Sequence, residues 1–130
     1  PLATKQAVAY ALQIAKGLAA AHEKRIVHRD VKPNNVFIAR DGNVKILDFG
    51  LAKRQERIPT GVATSAPTVS DYTGPGTVAG TVGYMSPEQA SGQPLDFRSD
   101  QFALGLILYE ILTGRKAFDR PTVRRSEGRL

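Results

Sequence analysis

HRDVKPNNV, residues 28–36, places an Asp, a Lys and an Asn within six residues, between an apolar helical run and an apolar β-branched one. Asp30 falls in the connection, where a carboxylate reaches solvent and a substrate hydroxyl. Lys32 is near enough in sequence to neutralise charge developing on a transferring phosphoryl group. Asn35 offers an amide oxygen, a hard ligand suited to Mg²⁺. Eighteen residues after Asp30, the run Asp48-Phe49-Gly50 closes a strand and supplies a carboxylate beside a glycine. A base, a cation and two oxygen ligands form the set that phosphoryl transfer requires, because that reaction is mostly positioning and charge stabilisation.

Outward from this stretch, residues 4–23 read as a helix. Val8, Leu12, Ala15, Ala19 and His22 recur at three- and four-residue spacing, and Thr4 is placed to cap the N-terminus. No glycine closes that helix, so a residue such as Arg25 is expected to take a left-handed conformation. Two β-branched runs follow, residues 36–39 and 43–47, with Asp41-Gly42 between them as a hairpin signal. Residues 53–83 are rich in Pro, Gly, Ser and Thr, keep no period, and read as one long loop. Residues 99–113 are apolar on almost every face and predict a buried helix, stopped by Gly114.

Composition excludes several functions. The chain has 130 residues, enough for one modest core, with 42% hydrophobic and 23% charged residues. It has no cysteine, so disulfides and thiolate metal sites are excluded and the cytoplasm is favoured. No apolar run reaches the roughly 18 residues of a membrane helix, although an anchor elsewhere in a longer protein stays open. The net charge is +6, but +4 of it lies in residues 115–130, where six basic residues face two acidic ones. Basicity confined to a tail, without interleaved aromatics, argues against nucleic acid as a partner.

The motifs resemble those of one family closely. HRDVKPNNV is similar to the protein-kinase catalytic loop, Asp48-Phe49-Gly50 to its metal-binding motif, and Ser86-Pro87-Glu88 stands where the family usually has APE. The run GTVGYMSPEQ and the helix SDQFALG resemble eukaryotic-type (Hanks-type) Ser/Thr kinases of bacteria, over about residues 1–119. The resemblance implies an α+β fold: part of a kinase large lobe, mostly helical, with a small β-hairpin and a long activation loop. Residues 120–130 form a basic tail outside it, from a truncated or frame-shifted reading or as a genuine short end. The implied activity is transfer of the ATP γ-phosphate to Ser/Thr hydroxyls of a protein substrate, with ATP and Mg²⁺ as cofactors. Asp30 would take or orient the hydroxyl proton, Lys32 would contact the γ-phosphate, and Asn35 and Asp48 would hold the metal. Phe37 would lie under the adenine. His28 and Phe49 would pack the loop on the core, Glu88 would belong to the APE-like structural motif, and Asp100 would accept bonds from the loop backbone. Arg29 would pair with a phosphate on Thr77, and Lys32 with Thr81 marks the Ser/Thr branch. Asn34 replaces the family's more usual Glu.

Blander readings stand beside these. Asp30 alone could be a turn residue, His28 a core histidine, Asp100 a helix-start residue and Arg29 a solvated charge. The family's smaller lobe brings a Gly-rich loop and a strand lysine. The stretch GPGTVAG, residues 74–80, has its glycines at G-x-G-x-x-x-G inside the long loop, and Lys45 leads straight into Asp48-Phe49-Gly50. Neither fits those roles, so this chain alone is expected to be inactive. The competing reading is a non-catalytic kinase remnant that binds a protein partner.

Overall fold

The computed structural model describes residues 1–49, 53–54 and 82–118. Helix α1 spans Thr4–Glu23, as its alanine-rich run with good helix formers favours. The predicted cap is displaced by one residue. Ala3, not Thr4, precedes the helix in extended conformation, and its carbonyl accepts from Gln6 and Ala7. At the other end Lys24 donates to Ala21 and Arg25 to His22, and Arg25 takes φ 59°. That left-handed turn without glycine, expected from the sequence, costs about 1–2 kcal/mol.

The buried face of α1 is not the predicted one. Ala7, Ile14 and Leu18 are buried, whereas Val8 and Leu12 are each 53% exposed and Ala19 is exposed. Apolar residues line α1 along two adjacent stripes, so spacing alone selects neither. The choice comes from what packs against it: helix α3 (Phe97–Thr113) and strand β3 (Val44–Ile46). Gly17 permits the second contact, since a Cβ there would lie 3.2 Å from Ile46 Cδ1.

Strand β1 (Ile26–Val27) leaves α1, and β2 (Val36–Ile38) pairs antiparallel with β3 in the register Val36–Ile46, Phe37–Lys45, Ile38–Val44. Gly42 turns the hairpin at φ 82°, and the Asp41 carboxylate accepts from the backbone and side-chain amides of Asn43. Gln13 of α1 ties the hairpin down by accepting from Val44 N–H at 2.9 Å. Strand β4 (Lys53–Arg54) pairs with β1, Ile26 opposite Arg54 and Val27 opposite Lys53. The loop predicted from residue 53 therefore begins with a strand. Two residues are too short a run to show a period.

Helix α2 (Pro87–Ala90) opens on a capping box in which Ser86 and Gln89 satisfy each other's backbone N–H. Helix α3 starts two residues before the expected Ser99, because Asp96 accepts from Arg98 N–H and caps it. Gly114 stops it at φ 72°, as expected. It is not buried all round. Only Ser99, Asp100, Ala103 and Ile107 are buried, and Tyr109 is 47% exposed, since no described residue covers its remaining faces. The core joins Ile14 and Leu18 of α1, Val31, Tyr84, and Ala103 and Ile107 of α3. Val31 belongs to the opening stretch, so the core anchors that loop directly.

Candidate active site

Residues 28–35 connect β1 to β2 and end in a 3₁₀ turn, Pro33–Asn35, that Pro33 opens. Lys32 before it is extended (φ −158°, ψ 162°), the conformation a following proline enforces. His28 is fully buried. Its Nδ1 accepts the Asp30 N–H at 3.2 Å, so Nε2 carries the proton and donates to the Leu47 carbonyl at 3.1 Å. Phe49 packs edge-on against the ring, with centroids 4.4 Å apart.

Arg29 stands in the left-handed region at φ 70°. For a non-glycine residue that costs of order 1–3 kcal/mol and persists only where neighbours over-determine it. Here they do. Its N–H donates to Asp100 Oδ1 at 2.9 Å, and its carbonyl accepts from Gln89 Nε2 at 2.7 Å. Asp100 is 1% exposed in the first turn of α3, where the helix dipole favours a carboxylate. Its Oδ2 accepts from His28 N–H at 2.8 Å and lies 2.7 Å from His22 Nε2. A buried carboxylate needs such partners, and Asp100 has one from α1 and two from the loop.

Asp30 Oδ2 meets Lys32 Nζ at 3.0 Å and accepts from Asn35 Nδ2 at 3.2 Å. Its Oδ1 has no hydrogen bond among the described residues. Asn35 also donates to the Asp30 carbonyl at 2.8 Å, so its amide hydrogens are committed and its amide oxygen is the ligand it can offer. The Asn35 carbonyl accepts from Leu47 N–H at 2.7 Å, which brings the strand end carrying Asp48 against the loop. Asp48 is exposed and, at φ 61°, the third left-handed non-glycine residue of the described backbone. No cluster of three or more His, Cys, Asp or Glu side chains forms a metal cage among the described residues. Mg²⁺ does not need one: it keeps waters and phosphate oxygens and takes one or two protein ligands. The hard-oxygen pair of Asn35 and Asp48 fits it.

Phe37, on β2 beside this loop, is 55% exposed. Arg29 Nε is buried without a hydrogen-bond partner among the described residues. Thr77, Thr81 and Gly50 lie outside the described residues. Glu88 sits in the first turn of α2 and accepts from Ser99 Oγ at 2.7 Å, a bond that holds its carboxyl below the ordinary range. The phenol of Tyr84 donates to Glu110, and burial, with that carboxylate beside it, pushes its titration upward. The sequence signals neither His22 nor Gln89 as a site residue. The Ser86–Gln89 spacing does announce a capping box, but not the grip on Arg29.

A family model described as "Protein kinase domain" matches residues 1–128. The chain is 44% identical over 119 residues to serine/threonine-protein kinase PrkC of Bacillus subtilis, covering 92% of this chain and 16% of that one. It is 43% identical over 127 residues to serine/threonine-protein kinase pkn2 of Myxococcus xanthus (95% and 14%). It is 40% identical over 118 residues to serine/threonine-protein kinase PknB of Mycolicibacterium smegmatis (91% and 17%). The chain thus spans about one sixth of the length of the curated relatives it matches. With its catalytic-loop motif folded against the strand end that carries Asp48, the chain belongs to the protein kinase domain family.

Proposed function

We propose that this chain carries the catalytic loop and metal-holding strand end of a protein serine/threonine kinase. One observation supports it most: Asp30 offers Oδ1 while Lys32 and Asn35 hold its other oxygen, on backbone pinned by Asp100. In this reading Asp30 orients the substrate hydroxyl and takes its proton as the hydroxyl oxygen bonds to phosphorus. Lys32, 3.0 Å from Asp30, neutralises charge developing beside it. Asn35 and Asp48 hold Mg²⁺, and Phe37 lies under the adenine. ATP with Mg²⁺, when bound, supplies the phosphoryl group and screens its charge. The nucleotide's opposite face comes from residues outside these 130, which contain no G-x-G-x-x-G run. The activation loop follows Asp48-Phe49-Gly50. Within it a phosphate on Thr77 pairs with Arg29, and Thr81 assists Lys32. His28, Phe49, Glu88 and Asp100 hold the site in place.

Partners on this reading are ATP and a protein with a Ser or Thr acceptor, in the cytoplasm, without nucleic acid. No helix among the described residues is long and apolar enough to cross a membrane. The binding-module reading has no feature of its own in its favour, because Asp30, Lys32, Asn35 and Asp48 are all present. The test joins this chain to a kinase Gly-rich segment with its strand lysine and measures transfer from radiolabelled ATP to a Ser/Thr peptide. Transfer that Asp30→Asn lowers by about 10²- to 10⁴-fold is the expected result. Transfer of equal rate in Asp30→Asn overturns the assignment.

A further inference from the structure

We infer that Gln89 is a positioning residue for Asp30, acting through the peptide plane between Arg29 and Asp30; this rests on the reading of Asp30 as the base. That plane has two hydrogen-bonding edges. Its carbonyl, from Arg29, accepts from Gln89 Nε2 at 2.7 Å. Its N–H, from Asp30, donates to His28 Nδ1 at 3.2 Å. Held at both edges, the plane cannot rotate without breaking a bond. Its orientation sets ψ of Arg29 and φ of Asp30, and hence where the Asp30 carboxylate sits. Arg29 needs this support because its φ of 70° is unfavourable for a side-chain-bearing residue. Asp100 secures the two preceding planes, through the His28 and Arg29 N–H groups, and leaves this one to Gln89 and His28.

Gln89 is built for the task. It is 6% exposed, and its Oε1 accepts from Ser86 N–H at 3.1 Å, which fixes the amide and directs the donor end to Arg29. Ser86 in turn bonds Ser99 of α3. The bond to Arg29 spans 60 residues of sequence, so the segment carrying α2 is tied to the residue before Asp30. A shift of that segment is transmitted to the base through one side-chain amide.

The variants Gln89→Glu and Gln89→Met separate this role from helix capping. Glu keeps an oxygen for Ser86 but faces the Arg29 carbonyl with an acceptor; Met removes both bonds. In the kinase domain completed as above, Gln89→Glu is expected to lose about 10- to 100-fold in kcat, the scale on which small misplacements act, with KM for ATP little changed. Its melting temperature should also fall, because a buried carboxylate set against a carbonyl is unfavourable, so kcat and exchange are compared at a temperature where both variants are folded. In the 130-residue chain, hydrogen exchange followed by NMR should show the Asp30 amide exchanging about tenfold faster in Gln89→Glu. Gln89→Met should show the same losses and a lower melting temperature. Unchanged Asp30 exchange and unchanged kcat in Gln89→Glu, with only the melting temperatures lowered, would reduce Gln89 to a cap residue and overturn the inference. Absence of turnover in the parent domain overturns the kinase reading alone, because amide exchange tests the clamp without catalysis.

Discussion

Asp100 Oδ2 accepts the backbone N–H of His28 at 2.8 Å across 72 residues of sequence. Its other oxygen holds the Arg29 N–H, so one buried side chain of α3 fixes two consecutive peptide groups of the loop that carries Asp30. Asp100→Ala leaves those two loop donors without their acceptor and His22 without its partner, and each unsatisfied buried donor costs about 1–3 kcal/mol. We expect Asp100→Ala to lose at least about 3 kcal/mol and Asp100→Asn, which keeps one acceptor oxygen, roughly half as much. Urea titration followed by circular dichroism measures both.

Asp30→Asn in the completed kinase domain is expected to lower kcat by about 10²- to 10⁴-fold, the usual worth of a positioned proton acceptor. Asp48→Asn should remove Mg²⁺-dependent turnover, since one ligand charge is lost from a site with few protein ligands. Steady-state kinetics across a Mg²⁺ series separate the two, because only Asp48→Asn should shift the metal requirement.

A phosphate on Thr77 would add roughly −1.5 to −2 charges for Arg29 to pair with. Mass spectrometry of the autophosphorylated domain should find Thr77 modified, and Thr77→Ala should lower activity. A fully active enzyme with unmodified Thr77 would exclude that switch.

The two stripes of α1 predict opposite outcomes. Ile14 is 2% exposed, and Ile14→Ala should cost about 2–5 kcal/mol by leaving a cavity. Leu12 is 53% exposed, and Leu12→Ala should change stability by no more than about 0.5 kcal/mol. The reverse order in denaturant midpoints would restore the face that periodicity suggested.

Acid should destabilise the chain through identifiable groups. The Ser99 hydroxyl holds Glu88 below its ordinary 4.5, the Arg98 guanidinium holds Asp96 below 3.8, and the Asn43 amides hold Asp41 below 3.8. A carboxylate with a depressed folded value contributes stability that is present above its unfolded value and lost as pH falls through the folded one. Stability should therefore decline from about pH 4.5 downward. Tyr84 acts at the other end. Its raised value contributes stability that is present below the ordinary 10.0 and lost as pH rises beyond it. Melting temperatures from pH 3 to 11 test both limbs, and Glu88→Gln and Tyr84→Phe should each flatten one.

Local chemistry was enough to read the bounds of α1, the Asp41-Gly42 hairpin and the Gly114 stop, and it marked the 28–36 stretch as a motif. Helix length, turn type and a motif all act over a few residues, so they are written in spacing. The face of α1 was not readable, because two apolar stripes satisfy the same period and only Ile46 and α3 choose between them. The pairing of β1 with Lys53–Arg54 was invisible for a different reason, since two residues carry no pattern. Of the supports of Asp30, the family resemblance implied Asp100, whereas Gln89 and His22 were hidden. Gln89 lies 60 residues from Arg29, and His22 lies 78 residues from Asp100. No spacing rule encodes such separations. Buried polar groups must find partners, and the tertiary structure alone decided which ones met.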